Sequence, residues 1–314
     1  MILLAPLQGY TDFIFRNVYN RHYNGIDIAV SPFISLTQRK SNTLSTAKDV
    51  LPANNHGMPV IPQLMGSNPE QFIRFARILS DWGYDTLNWN LGCPIKHIAR
   101  KKRGSGLLPY PELVRDILEK IIPNIPQRLS IKLRLGLNNV NEIYQIIPVL
   151  NDFTLENIII HPRIGTQMYE GEVHHDILQN CLPLFKHEII YNGDIFTVND
   201  FQIIQNKYPT IQKWMIGRGV LLNPLLPATI KQHQLLSPEK SKEIYSSFIF
   251  DLYSEMLIFL PENSMIDKAK DMWKFFSRRF LESEKVLSEI THAHSKEEIL
   301  LITRKIIAEE IMND

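Results

Sequence analysis

The stretch of the chain that decides the fold reads TLNWNLGCP and spans residues 86–94. It begins as an apolar run of strand length and ends in a turn, because Gly92 and Pro94 both favour a change of chain direction. At that turn Asn90 offers an amide that can bind the edge of a heterocycle, and Cys93 offers a thiol that can give up a proton. The pattern favours protonation of a bound base over metal binding, and it places Cys93 where a barrel enzyme keeps its chemistry.

Short apolar runs of this kind recur along residues 1–230, and amphipathic segments of helical length separate them. The eight runs span residues 2–5, 26–30, 60–64, 86–90, 129–133, 157–160, 188–191 and 214–216. The clearest helical segments span residues 69–82, 111–122, 142–150 and 198–207. Eight strands alternating with helices predict an α/β fold of the (β/α)8 TIM-barrel type.

Helical patterns alone follow from about residue 237. They span residues 238–259, 267–281, 283–293 and 296–312, and Pro261 and Asn263 are expected to separate the first from the second. We therefore predict two domains, a catalytic TIM barrel over residues 1–236 and a smaller all-helical domain over residues 237–314.

The composition is that of a folded globular protein, since 44% of the 314 residues are hydrophobic and 21% are charged. The two cysteines, Cys93 and Cys181, are too few for a disulfide framework or a four-ligand zinc site, so we expect a reducing compartment and no metal. Cys181 stands in a helical pattern without polar partners and is expected in the core. The apolar residues 1–5 lack the basic lead of a signal peptide. We expect a cytoplasmic monomer without membrane contact.

Lysine and arginine total 34 against 33 acidic residues, and the net charge of +1 gives no sign of a uniformly basic surface. Residues 231–314 carry a net charge of −3 and residues 1–230 one of +4, so any surface for nucleic acid must consist of local patches. Two candidates stand out, and for each an ordinary solvated surface is the alternative. The first follows Cys93 in a predicted loop over the barrel rim and holds Lys96, His97, Arg100, Lys101, Lys102 and Arg103. The second recurs every four residues along one predicted helical face and holds Lys270, Lys274 and Arg278.

Polar and glycine-containing segments follow the predicted strands, and in a barrel these positions share the rim that carries the active site. Asn192-Gly193-Asp194 and Gly217-Arg218-Gly219 follow the seventh and eighth strands, where barrels often bind a phosphate group. Lys132, at the fifth strand, is placed to stabilise the anionic edge of a reduced flavin. Gln63 and His161, at the third and sixth strands, are placed to contact the same cofactor.

Together these segments resemble the tRNA-dihydrouridine synthases, a family of FMN-dependent enzymes, in their bacterial form. The segment around Cys93 is the more specific part of the resemblance, because several flavin-binding barrels share the phosphate motifs. The helical tail also resembles the RNA-binding domain of that family. The matching residues run in order along the barrel: Leu4-Ala5-Pro6-Leu7-Gln8-Gly9, Gln63-Leu64-Met65-Gly66, Asn88-Trp89-Asn90-Leu91-Gly92-Cys93-Pro94, Lys132-Leu133-Arg134-Leu135-Gly136, Ile160-His161-Pro162-Arg163, Asn192-Gly193-Asp194 and Ile216-Gly217-Arg218-Gly219.

The resemblance implies FMN in the barrel mouth, NADPH as the reductant and a uridine in tRNA as the substrate. It implies that Cys93 donates a proton while Asn90 orients the uracil, and it makes Arg134, Arg163 and Tyr169 candidate substrate contacts. A thiol with an ordinary pKa of about 8.5 is protonated at neutral pH, as a general acid must be. The implied cofactor contacts are Ala5, Pro6, Leu7, Gln63, Lys132, His161, Asn192, Gly193, Asp194, Gly217 and Arg218.

Two other functions stay open at this point. The chain could be a barrel flavoprotein that acts on a free small molecule, similar to a dihydroorotate dehydrogenase, but the helical domain and the two basic patches argue against this. It could also be an RNA-binding barrel protein without catalysis, against which Cys93, Lys132 and His161 speak.

Overall fold

The computed structural model describes residues 1–36, 47–231 and 236–312. Residues 232–235, next to the predicted domain boundary, and residues 313–314 of the predicted helical domain lie outside the described residues. The described residues contain ten strands, which pair in parallel in one sheet. They are β1 (Ile2–Leu4), β2 (Ile28–Val30), β3 (Ile34–Ser35), β4 (Val60–Ile61), β5 (Gln63–Met65), β6 (Thr86–Leu91), β7 (Arg128–Gly136), β8 (Ile158–Ile164), β9 (Ile189–Asn192) and β10 (Lys213–Ile216).

Two of the eight barrel strands are interrupted by a proline, which cannot donate to the ladder. β2 and β3 flank Pro32 and form the second barrel strand, while β4 and β5 flank Pro62 and form the third. β2 pairs with β4 and β3 with β5, so these two strands lie side by side and the sheet closes. Between the two pairs, the Gln63 backbone N–H donates to the Ser31 hydroxyl at 3.0 Å. The predicted (β/α)8 TIM barrel is therefore confirmed.

Helices connect the strands and continue beyond the barrel, where the predicted all-helical region is confirmed. One expectation there is wrong: the second tail helix begins at Glu262, and Asn263 lies inside it. Pro261 separates the two helices without Asn263. Its fixed φ suits the residue before a helix, and Glu262 in the first turn interacts favourably with the helix N-terminus. The helices are α1 (Phe13–His22), α2 (Pro69–Asp81), α3 (Lys96–Ala99), α4 (Pro111–Ile121), α5 (Ile143–Asn151), α6 (His175–Cys181), α7 (Val198–Lys207), α8 (Arg218–Leu222), α9 (Leu226–Ile230), α10 (Pro238–Phe259), α11 (Glu262–Phe276), α12 (Ser283–Thr291) and α13 (Lys296–Glu309). Short 3-10 helices span Lys48–Val50, Pro52–Asn54, Gly104–Leu107, Ile122–Asn124, Val140–Glu142, Gly165–Gln167, Leu182–Leu184 and Ser277–Arg279.

The basic segment after Cys93 is also more ordered than a loop. It begins as the helical turn α3, because the N–H groups of Ile98 and Ala99 both donate to the Ile95 carbonyl at 2.9 Å. The expectation of a loop over the whole segment is therefore wrong for the residues of α3.

The barrel interior is apolar on one side and polar on the other. The polar side lies on β5, β6 and β7, which bury three amides and a hydroxyl from Gln63, Asn88, Asn90 and Ser130. Buried polar groups need hydrogen-bond partners, so these side chains must satisfy one another. The apolar side consists of Leu3, Ala5, Val30, Ile159, Ile190 and Met215.

The helical tail packs on α1 of the barrel through aromatic side chains. The Phe248 ring lies 5.9 Å from that of Phe15 and 5.3 Å from that of Tyr23, and the Phe259 ring lies 4.8 Å from that of Phe13. The buried residues of the barrel's outer layer and of the tail belong to one continuous core. Among the described residues, no helix is both long and apolar enough to cross a membrane.

Candidate active site

A cavity of about 420 Å³ opens at the carboxyl ends of the barrel strands. Its volume lies in the range of roughly 300–1,000 Å³ that is usual for ligand pockets. The cavity brings most of the predicted site residues together, although they come from six different strand ends. Those that line it are Ala5, Pro6, Leu7, Asn90, Cys93, Lys132, Arg134, His161, Tyr169, Asn192, Gly193, Asp194, Gly217 and Arg218.

The Asn90 amide holds the turn that carries Cys93. Its Oδ1 accepts hydrogen bonds from the backbone N–H groups of Gly92 at 3.0 Å and Cys93 at 2.9 Å. Its Nδ2 donates to Gln63 Oε1 at 2.7 Å. Gln63 itself is fully buried beneath Asn90 and outside the cavity lining, so its predicted contact with a cofactor stays a prediction.

The Cys93 backbone is held from its other side as well. Its carbonyl accepts from the Ser105 backbone N–H at 3.0 Å and from the Ser105 hydroxyl at 2.9 Å. Gly104 has a φ of +56°, and a Cβ added there would lie 2.8 Å from the Cys93 Cβ, so this close approach requires glycine. Burial raises the pKa of Cys93 despite a hydrogen bond from the Ile95 backbone and the nearby Arg134 cation. The thiol therefore stays protonated at neutral pH and can act as an acid.

Lys132 reaches the cavity without a partner for its amino group among the described residues. Its Nζ makes no hydrogen bond or ion pair with any residue in the described part of the chain. Burial, together with the neighbouring Arg134 cation, lowers the pKa of Lys132 to about 7. An anionic group bound beside it would return this lysine to its charged form.

His161 is a neutral imidazole on the same wall. Burial and the surrounding cations, of which Arg134 contributes most, hold the pKa of His161 well below its usual value. Arg163 Nη1 lies 3.3 Å from His161 Nε2, and because a guanidinium can only donate, the ring proton is assigned to Nδ1.

Asp194 joins the two predicted phosphate-binding loops. Its carboxylate accepts from Arg163 Nη1 at 2.9 Å and Nη2 at 2.6 Å, and from Arg218 Nη2 at 2.6 Å. Burial alone would raise the pKa of Asp194, but the hydrogen bonds and charges of the two arginines outweigh it and lower the pKa. Arg163 is thereby placed behind the cavity lining rather than on it.

Arg218 is also held between two aromatic rings. Its guanidinium carbon lies 4.9 Å from the centroid of the Tyr169 ring and 5.2 Å from that of the Phe196 ring. Arg134 also lies over the Tyr169 ring, with its guanidinium carbon 5.5 Å from the centroid, and Tyr169 lines the cavity with 44% of its surface exposed.

Arg134 ties the Cys93 turn to the segment that follows β8. Its guanidinium donates to the carbonyl oxygens of Gly92 at 3.1 Å, Ile164 at 2.8 Å and Met168 at 2.5 Å. Burial lowers the pKa of Arg134 to about 10, which leaves it charged at neutral pH. Each of the three guanidinium nitrogens therefore donates to the protein backbone.

The predicted basic residues lie outside the cavity. Lys96, Arg100 and Lys101 are exposed on and after α3, close to Cys93 in the chain. On the tail, Lys270 is half-buried, while Lys274 and Arg278 are exposed. Lys274 pairs with Asp271 at 2.5 Å, and both charges act on the Tyr10 hydroxyl, which places this part of α11 beside the cavity mouth.

Several apolar residues of the cavity were not predicted from the sequence. Tyr10 follows the first strand motif directly, so its position gave a signal that could have been used. Phe275 comes from α11, far along the chain, and its ring lies 5.1 Å from that of Tyr10. No sequence pattern could have placed Phe275 in the cavity, because its position depends on how the tail packs on the barrel. The other missed residues include Phe33, Met168 and Phe196.

The chain is similar in sequence and in fold to known proteins. The sequence model of the family described as dihydrouridine synthase (Dus) matches residues 3–310. The chain is 30% identical to tRNA-dihydrouridine synthase B of Pasteurella multocida over 226 residues, which is 72% of this chain and 67% of that protein. It is 26% identical to tRNA-dihydrouridine(16) synthase of Ralstonia nicotianae over 77% of this chain and 76% of that protein. The old yellow enzyme homologue from Zymomonas mobilis shares the fold, with a TM-score of 0.51 and 13% identity over 76% of this chain and 90% of that one.

Proposed function

Since the chain belongs to the dihydrouridine synthase family, we propose that it reduces the 5,6 double bond of a uridine in tRNA to give dihydrouridine. The observation that carries the proposal is the protonated thiol of Cys93, fixed by Asn90 on the wall of a cavity that also presents Lys132. Saturating the uracil ring takes one hydride and one proton, and this wall offers the proton.

The residues of the cavity fit FMN as the source of the hydride. Three basic residues, Lys132, Arg134 and Arg218, line the cavity together with one carboxylate, Asp194, and this excess of basic groups suits a phosphate group and an anionic ring edge. Arg163 lies behind the lining and pairs with Asp194, which leaves the carboxylate fixed in the cavity wall.

The two glycine loops support the same fit. At Gly193 an added Cβ would lie 2.1 Å from Tyr191 Oη, and at Gly217 it would lie 3.1 Å from the Ala5 Cβ. Gly193 therefore has no room for a side chain and Gly217 has little, and the absence of a side chain at both positions lets a phosphate approach the backbone closely. FMN held there and reduced by NADPH would supply the hydride. Ala5, Pro6 and Leu7 would line the flavin, while His161, Asn192 and Asp194 would complete the pocket.

In the proposed reaction the protein moves one proton. The Cys93 Sγ–H bond breaks and its proton goes to carbon 5 of the uracil, while carbon 6 receives the hydride. The thiolate that remains regains a proton from solvent. Asn90 keeps Cys93 in place through its Oδ1 and has one amide N–H left for the base, with Tyr169 and Arg134 beside it.

The uridine must leave the folded tRNA to reach this cavity, at an unstacking cost of a few kcal/mol. We propose that basic side chains on both sides of the mouth hold the tRNA while the uridine is bound. These are Lys96, Arg100 and Lys101 near Cys93, and Lys270, Lys274 and Arg278 on the tail.

The decisive experiment supplies the protein with FMN, NADPH and tRNA that lacks dihydrouridine, and measures dihydrouridine by mass spectrometry. Cys93→Ala should lower the rate by about 100-fold or more, since general acids contribute about 10²–10⁴-fold. Cys181→Ala is the matched control, because Cys181 is also a buried cysteine, in α6, and does not line the cavity. Equal rates for the two variants would remove Cys93 from the acid role, and no dihydrouridine from the unmodified protein would refute the proposed function.

A further inference from the structure

A continuous chain of side-chain hydrogen bonds crosses the polar side of the barrel interior and ends at Cys93. Its lower end is Asn157, just before β8, whose Oδ1 accepts from the Ser130 hydroxyl at 2.6 Å. The Ser130 oxygen in turn accepts from Asn88 Nδ2 at 2.9 Å. Asn88 Oδ1 accepts from Gln63 Nε2 at 2.7 Å, and Gln63 Oε1 accepts from Asn90 Nδ2 at 2.7 Å. Asn90 Oδ1 accepts from the backbone N–H of Cys93.

We infer that this chain of Asn157, Ser130, Asn88, Gln63 and Asn90, here called the amide chain, positions the thiol of Cys93 for proton transfer. The inference rests on the proposed function, in which Cys93 is the acid. Ser130 and Asn88 are positioning residues, because neither of them lines the cavity.

All links of the amide chain run in one direction. The Ser130 hydroxyl donates its single proton to Asn157, so toward Asn88 its oxygen can only accept. Each amide then presents its N–H to the neighbour below and its oxygen to the neighbour above, up to the backbone N–H of Cys93. Turning any one amide over would set two donors or two acceptors against each other in a buried site, which is costly. The orientation of Asn90 is thus decided several links away from the cavity.

Register explains why these side chains meet. Asn88 pairs with Gln63 on one neighbouring strand and with Ser130 on the other, so the three side chains point to the same side of the sheet. All three are at most 1% exposed. The opposite side of the interior is filled by aliphatic residues and methionine, which shows that this barrel does not need amides to fill its interior. We therefore assign the amides a role other than filling space. Asn90, at the cavity end of the amide chain, holds the backbone of Cys93, the predicted acid.

The test removes single hydroxyl groups at two buried sites. Ser130→Ala breaks the amide chain, whereas Thr303→Val removes a buried hydroxyl that bonds Tyr253 Oη at 3.1 Å in the tail and serves as the matched control. Two quantities are measured on the full chain loaded with FMN. They are the rate at which iodoacetamide alkylates Cys93, resolved from Cys181 by peptide mass spectrometry, and the kcat and KM for tRNA.

We expect Ser130→Ala to lower kcat by about tenfold, equivalent to about 1.4 kcal/mol, with little change in KM. It should also speed alkylation of Cys93 severalfold, because the turn is no longer held in one position. Thr303→Val should change neither quantity, although both variants lower the melting temperature. If Ser130→Ala loses thermal stability like the control but keeps the kcat and the alkylation rate of the unmodified protein, the inference is wrong.

A second pair of variants covers the case in which Ser130→Ala does not fold. Asn157→Leu removes the acceptor at the far end of the amide chain, while Asn157→Asp keeps it. The aspartate variant should therefore restore the kcat and alkylation rate that the leucine variant loses, and equal behaviour of the two would overturn the inference. If the unmodified protein makes no dihydrouridine, the proposed function fails, but the alkylation rates still decide whether the amide chain positions Cys93.

Discussion

At the scale of single residues, burial sets the protonation of the cavity wall. It raises the pKa of the Cys93 thiol, lowers that of His161 and brings that of Lys132 to about 7, so all three shift toward their neutral forms. Asp194 is the exception, because two arginines keep its carboxylate charged. The wall therefore offers a proton donor beside a lysine that becomes charged when an anion binds.

The first prediction concerns the stability cost of Lys132. Its pKa is about 7 in the folded protein and about 10.4 when unfolded, so between these values the unfolded chain binds more protons and stability rises with pH. In the cofactor-free protein, Lys132→Met should raise the melting temperature at pH 6.5 by roughly 5 °C, and the gain should shrink as the pH approaches 10. The same variant should lose affinity for FMN.

Melting curves at pH 6.5 and 9.0 measure this effect. Lys270→Met is the control, since Lys270 is a half-buried lysine on the tail that does not line the cavity, and its effect should not depend on pH in this way. A lower melting temperature for Lys132→Met at both pH values would contradict the prediction.

Single residues also show where sequence reasoning stops. The placement of Asn90, Cys93 and Lys132 at the ends of strands could be predicted, because each of them ends or follows an apolar run. The partners of Asn90 could not, since the link to Gln63 depends on strand register and on the orientation of each amide. The same holds for Arg134, whose bonds to the backbone carbonyls of Gly92, Ile164 and Met168 depend on how the turn after β6 lies against the end of β8.

At the scale of elements, α11 serves two purposes. It places Phe275 in the cavity, where the ring meets Tyr10, and it carries the exposed Lys274 one turn after the half-buried Lys270. Its Lys268 also pairs with Asp12 at the start of α1. A helix with these contacts fixes the position of the predicted tRNA surface relative to the cavity mouth.

The second prediction tests that surface. Lys274→Ala should weaken binding of unmodified tRNA about fivefold and reduce the slope of log affinity against log salt by roughly 1, since one phosphate contact is lost. Asp271→Asn should act in the opposite direction, because Asp271 pairs with Lys274 at 2.5 Å and competes with the phosphate. Filter binding at several salt concentrations measures both.

Lys285→Ala is the control for this surface, since Lys285 is equally exposed on α12 but pairs with Glu310 outside the predicted stripe. An unchanged salt slope for Lys274→Ala would show that Lys274 does not contact tRNA.

The elements themselves were largely predictable. Strands buried on both faces give continuous apolar runs, and all eight were identified; α10 was predicted with its observed bounds because Pro238 begins it and Pro261 follows it. The start of α11 was placed too late, since Asn263 reads as a helix breaker although it is simply solvent-exposed in the first turn. The interruption of two barrel strands at Pro32 and Pro62 depends on how the sheet closes, which local patterns do not specify.

At the scale of the whole molecule, the predicted division at residue 236 separates two kinds of architecture, but the core runs across it. Phe248 on α10 is fully buried against Phe15 of α1 and Tyr23 directly after it, so each part covers an aromatic face of the other. Without the tail, α1 would expose that face and the cavity would lose Phe275. We therefore expect the barrel and the tail to unfold as one cooperative unit.

The third prediction follows from this shared core. Phe248→Ala in the full chain should lower the free energy of unfolding by about 3–5 kcal/mol, and hydrogen exchange should speed up in β7 and β8 of the barrel as well as in α10. Ile258→Ala on the same helix is the matched control, because Ile258 is 71% exposed and its loss should leave exchange unchanged. Faster exchange confined to the tail, with the barrel strands as protected as before, would mean that the two parts fold independently and that the division at residue 236 is energetic as well as architectural.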